Sequence, residues 1–375
     1  YYLGCFSPEG RCMWMKYHVT VGKIFVSDSN IYILHQRSDS IIIDGVKIRI
    51  GRSIVCYNLN GICKMAKSIS VKVSGIGGLT HITGYGSLIL INGRTAEFDG
   101  YVENFPVKAN NIYSVAYGLD LVLKWVRSTT LTSSWSTNRI SLSGSSISNG
   151  SIVLCGEMSV TPNSEVRFDS TYILYGSFKG LYQFLASYDF NGKIKWVKLF
   201  SSLSNYDQLY GTVQDHNGGI YLLGNCAKKI NFGGKSISNP DINKSLRFIV
   251  HFTSNGNLVW LNGYSVLPIS GIQIGNDNHI YIIGTFDKEI KFKGTSIKCL
   301  GRQDIFAGCL APDGQEKWTT TSGTHSSLSL GHHIFEYRND IIIHGVINDY
   351  KIDSVIIGDT IIMPLYQGDK LGNFI

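Results

Sequence analysis

Five of the six tryptophans stand at one position of a repeat: Trp14, Trp125, Trp196, Trp260 and Trp318. Each ends a short run that starts at a turn, as in SPEGRCMW (7–14), DFNGKIKW (189–196), TSNGNLVW (253–260) and PDGQEKW (312–318). GLDLVLKW (118–125) keeps the spacing without the turn glycine, and NLNGICKM (58–65) has Met65 in the tryptophan's place. Glycine following Asn or Asp suits the positive φ that β-hairpin turns require. A period sustained in this way restricts the chain to folds that stack one supersecondary unit many times.

Around each turn the apolar runs have the length of strands. One precedes the turn, as in FLASYD (184–189) and FIVHF (248–252), and the tryptophan strand follows it. A third comes next: IYIL (31–34), IVLCG (152–156), IYLLG (220–224), IYIIG (280–284) and IIIHG (341–345). The fourth is read from IIIDGVKI (41–48), VRFDSTYI (166–173), INFGGKSI (230–237), IKFKGTSI (290–297) and VIIGDTII (355–362). Short strands in fours, with no helical period, predict an all-β chain folded as a β-propeller of four-stranded blades. The repeats span 1–52, 53–112, 113–182, 183–246, 247–303 and 304–368 of a single domain over 1–375, and DKLGNFI (369–375) restarts a first strand. Six blades are expected, with seven as the alternative. A blade cannot bury both faces alone, so the repeated tryptophan is expected to pack the seam between neighbours rather than to form a ligand platform.

The pattern of Asp304–Phe306, Pro312–Gly314 and Trp318, with Ile280–Gly284 and Phe232–Gly234 in neighbouring copies, resembles the SBBP-type β-propeller repeat. That resemblance covers most of the chain, is best over 183–320 and loosest over 66–112. It implies the architecture and a surface or secreted module without assigned chemistry. The stretch from Tyr188 to Trp196 is also similar to the repeat of quinoprotein propellers, which bind a quinone with calcium and often use adjacent cysteines. The chain has no Cys-Cys pair, so no cofactor is expected.

Charged residues make up only 16% of the chain, and hydrophobic residues 43%. The charged share lies well below the roughly 25% of average domains, as suits a β surface rich in turns. The net charge of +7 is scattered, with small groups at Lys228–Lys229 and at Lys288, Lys291 and Lys293. An acidic partner, whether nucleic acid or anionic glycan, is thus an alternative rather than the leading expectation. The longest apolar runs, such as Ile341–Ile343, are strand-sized, so no membrane span is expected. The chain starts at Tyr1 within a repeat and reads as a processed chain or as part of a longer one.

Cys5 and Cys12 flank the first turn, and Cys56 and Cys63 flank the second at the same spacing. Directly opposed positions on antiparallel strands lie within disulfide reach, so bonds Cys5–Cys12 and Cys56–Cys63 are expected; packed thiols are the other reading. Disulfides would place the protein outside a cell or in a virion. Cys155, Cys226, Cys299 and Cys309 have no evident partner, and no zinc-ligand spacing occurs. His332 and His333, with His325 nearby, and Trp135 in the Ser/Thr-rich stretch 128–151 break the repeat and are candidate contact residues. Asn149 and Asn243 begin glycosylation sequons. No residue set forms a recognisable catalytic or metal constellation. The expected function is therefore non-enzymatic: a structural or interaction protein, surface-displayed or part of a virion or extracellular assembly, with protein partners or self-assembly. A glycan hydrolase or lyase acting in a central channel, and a basic propeller on nucleic-acid backbone, are the alternatives.

Overall fold

The computed structural model describes residues 2–6, 12–17, 24–27, 29–37, 40–49, 51–72, 79–95, 100–107, 111–132, 139–161, 165–169, 173–175, 180–204, 206–241, 246–265, 267–323, 328–337, 340–348, 355–357, 360–362 and 372–374. Among them every regular element is a β-strand. They fall into two compact units, Tyr1–Gly180 with Phe184–Val197, and Leu181–Gln183 with Lys198–Ile375.

The first unit holds two complete antiparallel sheets. One runs Ile24–Val26, Asn30–Arg37, Gly51–Asn58, Cys63–Ser68; the other runs Leu79–Tyr85, Leu88–Arg94, Ile112–Gly118, Leu123–Ser128. A third sheet starts there with Arg139–Ser148 and Ser151–Val160, and the residues of its strands Gly180–Tyr188 and Ile194–Ser202 are divided between the two units. The second unit holds Gln208–Gln214, Ile220–Cys226, Leu246–Phe252, Leu258–Tyr264, and then Ile269–Ile274, Ile280–Phe286, Asp304–Leu310, Glu316–Gly323. These are propeller-type blades, in chain order across each sheet.

Five four-stranded blades are complete among the described residues, not the six or seven expected. The difference comes from phase. Each sheet takes its first two strands from one sequence repeat and its last two from the next, so the terminal repeats are split. The hairpin Tyr2–Phe6 with Cys12–Tyr17 has only the turn-flanking strands, and Leu328–Tyr337, Asp340–Asn348 and Gly372–Phe374 form a three-stranded sheet. In that last sheet Gly345 lies opposite Phe374, as Gly284 lies opposite Phe306 and Gly224 opposite Phe248. The tail therefore continues the repeat register.

The sequence misassigns one strand of the blade. The runs read as a fourth strand are two-stranded hairpins inserted between the second and third strands, such as Ile41–Ile43 with Val46–Ile48 and Lys229–Asn231 with Ser236–Ser238. Their centres carry two consecutive positive φ values: Asp44 and Gly45 (49° and 81°), Glu103 and Asn104 (48° and 68°), Gly233 and Gly234 (76° and 118°), Lys293 and Gly294 (51° and 77°). That is the signature of a tight type I′ turn, which folds an eight-residue run back on itself. The true first strands, such as Gln208–Gln214, carry mixed polar and apolar residues with exposed positions, and so give only a weak signal.

The second and third strands hold the core. Ile220–Cys226, Asp304–Leu310 and Ile112–Gly118 are buried along their whole length. The glycine that ends the IYxxG run is a steric necessity. A Cβ on Gly284 would lie 2.5 Å from the Phe306 ring and 2.3 Å from the Pro268 carbonyl; on Gly224 it would lie 2.4 Å from the Phe248 ring. The third-strand phenylalanine covers the glycine and restores the apolar contact that the glycine cannot make.

Blades are joined by the register tryptophans. Trp14 Nε1 donates to the Leu59 carbonyl at 2.7 Å, Trp125 Nε1 to that of Phe190 at 2.8 Å, and Trp260 Nε1 to that of Pro312 at 2.9 Å. Each acceptor belongs to the turn of the following repeat. The turn glycine lies against the ring: a Cβ on Gly61 would meet Trp14 at 2.5 Å, and one on Gly192 would meet Trp125 at 2.8 Å. The turns are themselves fixed, because Asn58 Oδ1 accepts the N–H groups of Asn60 and Ile62, and Asp189 Oδ1 those of Asn191 and Lys193. The tryptophans are less buried than a sandwiched seam would make them. Trp125 is buried, Trp14, Trp196 and Trp260 are half-buried, and Trp318 is 39% exposed. One face meets a turn while an edge stays open.

A second link uses the inserted hairpins. Chain just beyond a strand at the tryptophan position pairs with the hairpin that precedes the third strand of the following sheet, within the same sequence repeat: Val71–Lys72 with Tyr101–Val102, Thr130–Thr132 with Glu165–Arg167, Ser201–Ser202 with Ile230–Asn231, and Ser322–Gly323 with Ile356–Ile357.

Cys56 and Cys63 do not pair as expected. A bulge between Cys56 and Tyr57 sets Cys56 opposite Met65 and Cys63 opposite Tyr57. Adjacent strand residues point to opposite faces, so the two thiols diverge and form no disulfide with each other. The same bulge sets Cys5 opposite Trp14 and Phe6 opposite Cys12; the side chains of Cys5 and Cys12 lie outside the described residues. The position nine residues ahead of the register tryptophan holds Cys5, Cys56, Ala116, Ser187, His251 and Cys309. In the sheets around Cys56 and Cys309 it sits between a tyrosine of the second strand, Tyr32 or Tyr281, and the tryptophan position. Small volume is what that place selects, and cysteine satisfies it.

Two predictions follow from this packing. Gly192→Ala should cost at least ~2 kcal/mol, combining left-handed strain with the clash against Trp125. Gly45→Ala, whose Cβ would meet nothing within 4 Å, should cost only the ~1 kcal/mol strain; equal urea-unfolding losses would contradict the ring contact. Burial pushes the Cys155 thiol up to about 12 and the thiols of Cys226 and Cys309 up to about 11. Unfolded thiols ionise near ~8.5, so the folded state binds these protons more tightly. Their contribution is complete below that pH and is lost as pH rises toward 11–12. Urea midpoints should hold from pH 6 to 8 and fall above about pH 9; a midpoint that rises there would contradict the burial.

Candidate functional site

The first unit contains an open cleft of about 740 Å3 beside Trp125. Its walls come from three places in the repeat. The chain beyond Trp125 gives Arg127, Ser128 and Thr130, the following turn gives Asn191, Gly192 and Lys193, and the inserted hairpins give Phe105 with Pro106 and Arg167 with Asp169. The cleft lies where the tryptophan link and the hairpin link meet, so the repeat architecture itself creates it.

Arg127 is held rigidly. Its Nε donates to the Gly192 carbonyl at 3.0 Å, Nη1 to that of Val126 at 3.0 Å and Nη2 to that of Asn191 at 3.3 Å. The guanidinium carbon lies 5.7 Å from the centre of the Trp125 ring, within cation–π range. Trp125 and Arg127 together grip the turn 189–192. From the hairpin, Asp169 Oδ2 accepts the N–H of Ile194 at 3.1 Å, the role that Asp44 has toward Cys63 at 2.8 Å. Arg167 pairs with Glu165 along its own strand. Phe105 is 45% exposed and Lys193 is exposed.

A second place breaks the repeat. His251 stands where other sheets carry Cys, Ala or Ser. Its ring stacks on Tyr221 at 4.1 Å with planes 4° apart and meets Trp260 edge-on at 5.7 Å. Tyr221 donates to Asp215 Oδ2 at 3.4 Å, while Asp215 Oδ1 accepts the N–H groups of Asn217 and Gly219. A Cβ on Gly219 would lie 2.8 Å from His251 Nε2. In the next blade the exchange is reversed. His279 occupies the place of Gly219 and hydrogen-bonds Asp277 at 2.5 Å, and Cys309 occupies that of His251. Each of these two blades thus places one imidazole by the turn, from one strand or from the other. Burial lowers the His251 pKa and the charge of Asp215 opposes this only in part, so the ring is neutral at physiological pH and acts as a packing surface.

Of the residues singled out from sequence, Asn149 lies exposed in the turn between the first two strands of its sheet. His333 pairs across the sheet with His344, and His332 stands at the adjoining bulge; nothing further is described of their side chains. Trp135, Asn243 and His325 lie outside the described residues. Among the described residues no three His, Cys, Asp or Glu side chains gather as a metal site, and no helix is long and apolar enough to cross a membrane. Sequence reasoning missed Arg127, Arg167, Asp169 and Lys193. The position two residues beyond the tryptophan place carries a basic residue in four repeats, Lys16, Lys67, Arg127 and Lys198, with Asn262 and Thr320 in the other two, so only the guanidinium sets Arg127 apart.

No protein-family model matches the chain, and no curated protein matches it. The SBBP-type resemblance therefore rests on the repeat motif alone, and the propeller-type blade is what stands. Among solved structures, the crystal structure of a member of the DUF4221 family from Bacteroides vulgatus ATCC 8482 is similar over 71% of this chain and 87% of that one, at 10% identity and a TM-score of 0.22.

Proposed function

We propose that this protein is a non-enzymatic scaffold that acts by binding, as a surface-displayed module or as a component of an assembly. The observation that carries this reading is where the recurring polar side chains are spent. Asn58, Asp189, Asp215, Asp277 and Asp313 each accept main-chain N–H groups in the turns. A general acid or base needs a group free to reach substrate, whereas these groups hold the frame. His251, a titratable residue that departs from the repeat, is stacked on Tyr221 with Trp260 edge-on to it. Rigid blades with tightly tied turns suit a scaffold whose contacts are made at clefts and loop faces. Cys56 and Cys63 are not bonded to each other, so that pair lends no support to an oxidising compartment.

The test is turnover. The purified protein, incubated with acidic and neutral polysaccharides and with model esters, should release no product above a heat-treated control. Product release that is lost in His251→Gln, with the thermal midpoint unchanged, would overturn the scaffold reading.

A further inference from the structure

We propose that the cleft beside Trp125 binds an acidic sugar: a pyranose-type ring bearing one carboxylate or sulfate group, presented within a glycan. The inference rests on the scaffold reading in taking the cleft as a place of binding.

Arg127 supplies the anion contact. A guanidinium has five N–H donors in one plane. Three are directed at the carbonyls of Gly192, Val126 and Asn191, which leaves two, one on each terminal nitrogen, on a group already immobilised against Trp125. A fixed fork of this kind suits the two oxygens of a carboxylate or sulfate, and little side-chain entropy remains to be lost on binding. Lys193, exposed on the gripped turn, adds a second positive charge at the rim.

The remaining lining suits a sugar ring. Phe105 and Pro106 present an exposed apolar surface for the C–H face of a ring, and Ser128 and Thr130 border the same space with hydroxyl groups. A volume of about 740 Å3 is within the usual range for small-molecule sites, ~300–1,000 Å3. The carboxylates argue against a phosphate chain. Asp169 lines the cleft, and Glu165 stands beside it, paired with Arg167. Those acidic groups tolerate one anionic group docked on Arg127 but repel a ligand charged at every unit.

Isothermal titration calorimetry on the full chain decides the matter. The probes are a uronate-bearing tetrasaccharide, a sulfated tetrasaccharide, a neutral tetrasaccharide of equal length and a single-stranded oligonucleotide. At least one acidic tetrasaccharide should bind about tenfold or more tighter than the neutral one, the difference expected from one charge-assisted contact. Which acidic probe binds better separates a carboxylate source from a sulfate source. Arg127→Lys, which keeps the charge but not the fork, should lose that preference. Lys193→Gln lies outside the grip on the turn and should weaken acidic binding several-fold at an unchanged thermal midpoint, so it decides if Arg127→Lys fails to fold. Equal affinity for acidic and neutral probes, no binding of either acidic probe, or tighter binding of the oligonucleotide would overturn the proposal. Turnover of a bound sugar would sink the scaffold reading and leave the site standing.

Discussion

The indole that reaches into the next repeat's turn is the interaction on which the rest depends. A four-stranded blade with two buried central strands has apolar surface on both faces, and it becomes stable only when a neighbour covers it. Trp14, Trp125 and Trp260 meet that need with one side chain each, a flat ring against a turn glycine and an N–H on a turn carbonyl. The carbonyl it uses faces out of the hairpin and has no strand partner, so the bond satisfies a main-chain acceptor as well as the indole donor.

From that link other features of the repeat follow. The turn must hold still to receive the ring, hence the Asn and Asp side chains that cap it from inside. The residue facing the tryptophan position across the hairpin must be small, hence Ala116 and Cys309, and Cys56 opposite Met65, with His251 tolerated where Gly219 gives it room. Glycine in the second strand lets the third-strand phenylalanine lie flat, which keeps the central strands close. The cleft beside Trp125 is the space left at the crossing of the two inter-blade links, and its arginine is also one of the groups that ties the turn.

The blade was legible in the sequence because its strongest signals are local. The spacing from turn to tryptophan, the IYxxG run and the recurring period needed no tertiary information. What escaped were features set by a single residue of offset or by distance along the chain. The bulge ahead of Met65 moves Cys63 out of line with Cys56, and no pattern of residue types announces it. The inserted hairpins read as single strands because their apolar alternation continues through the turn; the Asp44–Gly45 and Gly233–Gly234 dipeptides were the clue. The cleft could not be read at all. Phe105, Arg127, Asp169 and Lys193 come from widely separated segments and meet only where the chain beyond one sheet's tryptophan strand pairs with the hairpin inserted in the next sheet.

Native-state hydrogen exchange on Trp260→Ala tests the central claim most directly. The turn that receives Trp260 has its own hydrogen bonds, Gly314 N–H to the Ala311 carbonyl and Gln315 N–H to Asp313. If the indole locks the next repeat, the amides of Gly314 and Gln315 should lose protection first, ahead of the substituted strand Leu258–Tyr264. Loss confined to the hairpin that carries residue 260, with Gly314 and Gln315 unchanged, would contradict it.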